Sequence, residues 1–582
     1  MPARTRRITL AIACFAVAAA ALAAWLFPRA LPTLAVEQKL TRSLALQRAD
    51  SFFRAVAPQP AGARTALRFT ASDSVVTFVD LAGGGHDTLN ALARGHDVAP
   101  FAWSVRSFVP RDPHEASVDF APDGRIIGFT RTFAEADRRP DVGADSGQRL
   151  AEHVLADWLH EEPGQWRLAA SSYDTKKTSA RVDRTYTFER TGRRVAGAPI
   201  RTDVVIAGDT PSLAHPYVVI PESFLRRYGE MRSANGLLST IDLIAILALL
   251  VAAAVTLRNY SKSRSVRWRE AIIAGSVIGV LLLAAGLNEL PGSWYSYDTA
   301  TSPAVFQAGI VGAALLGGAG MALVVGLTLA ASEAAARNAF PQQLDWWKLW
   351  KYRGTMEVAG RVAGGYAVAM WGFAYVALFY LFTRNVFGWW VPSEMLDDPN
   401  LIASPLPWIS GVGMSLQAGV WEEALFRALP LSLLSLWVGT RQRRNWWMAA
   451  GIVASALVFG FAHSSYESWP PYSRGVEIFV DACLWGVLFL SFGVIVTMVA
   501  HFVYDLVLFG LFAASGSAPE YRTTAAIILL ALLAPALAVA WRVWRQRGYV
   551  PLPDDARAAA WTPGAESEAP VALAPPHERS LT

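Results

Sequence analysis

Long apolar runs recur from residue 238 onward, and few folds accommodate them. A run of about 18 residues or more is long enough to cross a bilayer as a helix. Read this way, spans fall at 238–257, 271–288, 304–331, 360–382, 406–438, 446–463, 476–491, 494–513 and 524–541. The chain is 53% hydrophobic and 17% charged, against about 25% charged in a typical soluble domain. Its 582 residues exceed one ordinary core. A further apolar run follows MPARTRR at the N-terminus, so the expected fold is an α-helical polytopic membrane protein of about ten transmembrane helices.

Loop charges give the orientation. Arg258, Lys262, Arg264, Arg267 and Arg269 share one loop, and Arg337, Lys348, Lys351 and Arg353 another. Arg441, Arg443 and Arg444 form a third, and Arg542, Arg545 and Arg547 follow the last span. The loop with Glu289 and Asp298 has no basic residue, and the one with Glu394, Asp397 and Asp398 has only Arg384. This alternation is the positive-inside pattern and puts both termini in the cytoplasm. It also accounts for the net charge of +5, so no nucleic acid partner is expected; the lipid bilayer is the surface these residues meet. The Ala- and Arg-rich composition suggests a bacterial inner membrane as the cell membrane concerned. Cys14 and Cys483 both fall in apolar runs, which argues against a disulfide framework or a cysteine metal site.

The chain divides accordingly. Residues 1–29 read as a signal anchor, with a cleaved signal peptide as the alternative because small residues surround Ala21 to Ala23. Residues 30–236 are soluble in character and read as an α+β extracytoplasmic domain inserted after the first helix. A helical pattern at 37–56 precedes strand-like TALRF and SVVTFVDL, and SVDFAPDGRIIGFTRTF carries a Pro-Asp-Gly hairpin turn. A second helix, GQRLAEHVLADWL, is again followed by strands, so two similar halves are expected. Residues 237–358 hold membrane helices and DWWKLWKYR, an aromatic and basic segment suited to the interface. Residues 359–545 form a second membrane unit, and 546–582 a Pro- and Ala-rich cytoplasmic tail that reads as disordered.

Polar residues inside the second unit carry the chemistry. GVWEEALFRALP places Glu422, Glu423 and Arg427 in a span, where each ionised side chain costs at least a few kcal/mol. Glu423 and Arg427 are i, i+4 with the acid first, the better order for an ion pair. That pairing leaves Glu422 free, as a general base or acid requires. Only two histidines lie between 237 and 550, His463 and His501, and His501 is i, i+4 from Asp505. Each feature has a structural reading as well: a buried ion pair, an interfacial histidine, a buried hydrogen bond. A proton or ion path through a transporter would use the same residues.

Taken together, these residues resemble the type II CAAX prenyl endopeptidases and bacteriocin-processing enzymes, the CPBP family. Glu422, Glu423 and Arg427 match its Glu-Glu-x-x-x-Arg motif, Phe459 and His463 its Phe-x-x-x-His, and His501 and Asp505 its His-x-x-x-Asn/Asp, in the family's order. The resemblance spans about residues 360–515 and implies a helical intramembrane endopeptidase domain over 359–545. It implies that Glu422 and His463 activate water, that His501 and Asp505 stabilise the oxyanion, and that Glu423 and Arg427 support the glutamate helix. It implies a membrane-associated protein or peptide as substrate. The family is described both as metal-independent glutamate proteases and as metalloproteases; with a metal such as zinc, Glu422, His463 and His501 would be the ligands. Asp505 stands where asparagine is usual, and an ionised carboxylate has no hydrogen to donate to an oxyanion. A catalytically silent scaffold or sensor using residues 30–236 is the alternative function.

Overall fold

The computed structural model describes residues 3–30, 38–83, 85–94, 98–390, 399–514 and 516–558. It has two parts, a sheet domain over 38–218 and a helical membrane part. In the sheet domain eight strands form one antiparallel sheet in the order β1-β2-β3-β4-β8-β7-β6-β5. These are β1 Arg64–Ala71, β2 Phe101–Phe108, β3 Glu115–Phe120, β4 Ile126–Thr132, β5 Trp166–Thr175, β6 Val182–Val195, β7 Ala198–Ala207 and β8 Thr210–Val218. The order is two four-stranded meanders joined through β4 and β8, at Phe129↔Ala214 and Thr130↔Leu213.

Each meander is preceded by a helix, Arg42–Val56 for the first and Ala144–His153 for the second, the latter ending in a π-helical turn, Val154–Trp158. The two meet across one face of the sheet: Phe52 and Trp158 lie with ring centroids 6.3 Å apart, and both pack on Phe129 of β4, at 6.0 and 4.8 Å. The core beneath includes Phe69, Trp103, Val105, Val118, Val204 and Ile206, all at most 1% exposed. The Pro-Asp-Gly hairpin forms as read, with Gly124 at φ +93° and Ala121 N–H bonded to Arg125 O at 2.9 Å. The segment SVVTFVDL is a correction: it lies in a helix, Asp73–Ala82, instead of a strand. Buried Val75, Val76, Phe78 and Val79 follow helical spacing, a stripe one turn repeats.

In the membrane part, six helices among the described residues are long and apolar enough to cross a bilayer: Glu222–Lys262, Trp268–Ser296, Pro303–Ala339, Met356–Phe387, Ser473–Phe492 and Pro519–Arg545. Ala11–Phe27 and Val494–Gly510 are shorter apolar segments. Two further expected spans fall outside that length and composition. Residues 444–461 form a helix that opens with Arg444. The run 406–438 is broken into an α-helix Pro407–Gln417, a π-helix Ala418–Ala428 and an α-helix Leu429–Val438. Leu429 N–H closes on Ala424 O, and Pro430 follows with no N–H to give. The register therefore returns from i→i+5 to i→i+4 at the residue where a hydrogen bond is missing anyway.

Loops gather at two ends. At the sheet-domain end, Arg106 donates to the carbonyls of Tyr295 and Tyr297, both at 2.7 Å, and Arg64 and Arg68 stack on Trp294 and Tyr295. Phe69 N–H of the edge strand β1 donates to Asn400 Oδ1 at 3.1 Å, and Tyr521 O–H to Leu40 O at 2.6 Å. At the other end, Arg267 pairs with Asp345 at 2.7 Å, Arg337 with Glu333 at 3.0 Å, and Gln546 donates to Gly354 O at 2.6 Å. The start of the tail read as disordered packs here: Lys348 donates to Asp555 O at 2.6 Å, and Ala556 is 2% exposed. The remainder of the tail, 559–582, and the acidic residues Glu394, Asp397 and Asp398 lie outside the described residues.

Trp103 tests the sheet domain as a unit. It is fully buried, so Trp103→Ala should destabilise by about 3–5 kcal/mol. A thermal melt of residues 38–220 expressed alone should be cooperative for the native sequence and shifted down for the variant.

Candidate active site

The π-helix Ala418–Ala428 carries both glutamates and Arg427. Such turns are uncommon and concentrate at functional sites. Gly419 lets this segment approach the Val494–Ala514 helix: a Cβ there would lie 3.0 Å from Met498 O and from Phe502 N. The same close approach brings Glu423 against His501.

Glu423 is fully buried and Arg427 2% exposed. Arg427 Nη1 donates to Glu423 Oε1, the ion pair expected from their spacing. The guanidinium also lies over the rings of Phe459 and Trp485, at 4.2 and 4.9 Å from the centroids. Aromatic faces satisfy a cation without adding charge. His501 Nδ1 lies 2.8 Å from the same Glu423 oxygen. A carboxylate held by a guanidinium only accepts, so Nδ1 carries the hydrogen. The other nitrogen, Nε2, then faces Asp505 Oδ2 at 3.6 Å and Glu422 Oε2 at 3.8 Å. Glu423 thus fixes the ring, and the sequence had shown it only as the partner of Arg427. Glu422 Oε2 is shut off from solvent and has no hydrogen-bond partner among the described residues.

His463 ends the Arg444–Phe461 helix region, where its Nδ1 lies 2.9 Å from Phe459 O. A carbonyl accepts only, so Nδ1 donates and Nε2 keeps its lone pair. Phe459 sits between the two histidines, 5.1 Å from the His463 ring and 6.0 Å from that of His501. A cavity of about 80 Å³ is lined by Arg427, His463, His501 and Asp505 on one side, room for a few water molecules. Glu422 is beside His501 and is not among the lining residues; no hydrogen bond or ion pair joins it to His463 among the described residues. Among the described residues no group of three or more His, Cys, Asp or Glu is arranged to hold a metal ion.

The other wall was not singled out in the sequence. It comes from the Ser473–Phe492 helix: Arg474, Glu477, Asp481 and Trp485, with Tyr504 beside them. Arg474 pairs with Glu477, and Tyr380 O–H binds both, 2.7 Å from Arg474 Nη1 and 3.0 Å from Glu477 Oε2. The signal was present, since Glu477 and Asp481 fall inside an expected span and Arg474 sits at its edge. Between His463 and Arg474 runs a loop gripped from outside. Arg232 pairs with Glu467 at 3.2 Å and donates to Ser465 O at 3.1 Å, and Asn235 donates to Pro471 O at 3.3 Å.

Arg427 should be intolerant of change. Arg427→Ala leaves a buried carboxylate unpaired, a loss of about 3–5 kcal/mol. Arg427→Lys keeps charge and forfeits the planar stacking. Both should lower the monodisperse fraction recovered after detergent extraction, alanine more than lysine.

Residues 404–507 match the family model described as type II CAAX prenyl endopeptidase Rce1-like, and this stretch is a CPBP domain. The chain is also similar to sporulation-killing factor biosynthesis protein SkfC of Bacillus subtilis (strain 168), 31% identical over 120 residues. That alignment covers 20% of this chain and 22% of the relative, so the chain spans under a quarter of the relative's length. No solved structure matches. The chain is a membrane protein carrying a domain of a peptidase family.

Proposed function

We propose, from the Rce1-like domain at 404–507, that the chain is an intramembrane endopeptidase hydrolysing a peptide bond of a membrane-associated substrate. The observation that carries this reading is the shared carboxylate of Glu423, which bonds Arg427 and His501 at once. A merely structural ion pair has no need of a histidine whose second nitrogen faces two more carboxylates and a cavity.

In this mechanism Glu422 is the general base. His463, whose Nε2 keeps a lone pair beside the cavity, assists in holding and deprotonating the attacking water. His501, as the imidazolium among Glu422, Glu423 and Asp505, donates from Nε2 and with Asp505 faces the developing oxyanion, so the carbonyl oxygen gains charge where donors are already oriented. Glu423 is a positioning residue: it sets the ring of His501 and is itself held by Arg427. Asp505 is on the Nε2 side, so it is not the group that orients the ring; its role is as a protonated donor.

The proposed topology has ten spans with both termini cytoplasmic. The segregation of loops supports it: the basic loops with Arg267 and Arg337 and the chain after Arg545 pack together at one end, and loops poor in basic residues pack against the sheet domain at the other. The sheet domain is then extracytoplasmic, and the chain a multi-pass protein of a bacterial inner membrane. Reporter fusions after residues 150 and 265 should give opposite signals; matching signals contradict the topology.

Glu422→Gln keeps size and removes the base. It should cut turnover on a cleaved peptide by roughly 10²–10⁴-fold while folded yield persists. Turnover equal to the native chain would move the reading to a silent scaffold or sensor. Asp505→Asn keeps a neutral donor and should retain activity, whereas Asp505→Ala should lose it.

A further inference from the structure

Resting on the peptidase reading, we infer that Asp481 forms a subsite for a cationic group of the substrate, a lysine or arginine side chain close to the cleaved bond. The argument starts from charge balance in the cavity. Of its two arginines, Arg427 is matched by Glu423 and Arg474 by Glu477, each through an ion pair. Asp481 lines the same cavity and pairs with no cation among the described residues. Its Oδ1 is shut off from solvent and takes no hydrogen bond among the described residues. A carboxylate in such a place is costly unless it meets a donor.

Room for one lies on the cavity side of Asp481, because the opposite side is closely packed. Gly372 backs onto this point, where a Cβ would lie 3.2 Å from the Tyr504 ring and 3.8 Å from Asp481 Oδ2. A cavity of about 80 Å³ accommodates an ammonium or the end of a guanidinium. The tyrosine beside it adds an aromatic surface of the kind cations favour. An incoming carboxylate has no such opening, because each arginine already holds its own glutamate.

Position ties the subsite to the reaction. Trp485 packs edge-on against His501, with ring centroids 5.4 Å apart. Asp481 is one turn before Trp485 on the same helix, about 6 Å along its axis. An extended peptide covers about 3.3–3.6 Å per residue. The cationic group therefore belongs to a residue within two or three positions of the cleaved bond.

The test uses the full chain in lipid nanodiscs. Once a cleaved bond is mapped by mass spectrometry, lysine and norleucine are exchanged in turn at the three positions on either side of it. At one position the lysine peptide should be turned over about 30-fold better in kcat/KM or more, the scale of a buried charge pair. Asp481→Asn should collapse that ratio, Asp481→Glu should keep most of it, and Asp481→Lys should favour glutamate at the same position. Equal kcat/KM for lysine and norleucine at all six positions overturns the inference, as does a ratio that survives in Asp481→Asn. If Asp481→Asn does not fold, the native ratio and Asp481→Glu decide. If the native chain cleaves nothing, the peptidase reading fails by itself. The affinities of lysine and norleucine peptides for the Glu422→Gln chain, read by fluorescence anisotropy, then decide the subsite in the same way.

Discussion

One oxygen atom, Oε1 of Glu423, accepts from both Arg427 and His501 in a fully buried setting. Much of the membrane part follows from that demand. A guanidinium in low dielectric needs a counter-charge and polarisable neighbours, and the glutamate, Phe459 and Trp485 supply them. The imidazole needs a partner at Nδ1 if Nε2 is to face the cavity, and the same glutamate supplies it. The π-helix, the close approach at Gly419 and the aromatic wall all serve to bring four helical segments around this one atom.

The sheet domain reaches the site through backbone and side chain together. The long Glu222–Lys262 helix descends from the sheet domain and grips the loop 464–471 through Arg232 and Asn235. Trp390 pairs with Trp469 of that loop by two backbone hydrogen bonds of 2.7 Å, and its indole N–H bonds Asp80 of the sheet domain. His463 and Arg474 stand at the two ends of the loop. The placing of the cavity's polar walls thus depends on contacts made outside the apolar segments.

Much of this was legible in the sequence where a pattern has a single physical meaning. The i, i+4 order of Glu423 and Arg427 gave their ion pair, and the Pro-Asp-Gly turn its hairpin. The two helix-then-strands halves appear as two meanders. SVVTFVDL misled because its β-branched residues favour strand and a short apolar run does not by itself reveal a buried helix; the burial of Val75, Val76, Phe78 and Val79 decides. The π-helix was hidden because i→i+5 bonding has no residue signature beyond Pro430 at its end. The bond from Glu423 to His501 joins residues 78 apart in the chain, a distance local spacing does not reach.

The central claim is that Glu423 acts through His501, and a double-mutant cycle between them measures it most directly. Glu423→Gln, His501→Asn and the double variant are compared for turnover on one cleaved peptide, corrected for folded fraction. The account predicts strong coupling: with His501 gone, removing the carboxylate costs little more, a coupling of about 0.5–3 kcal/mol. Losses that simply add would mean that the two residues act independently, and would contradict it.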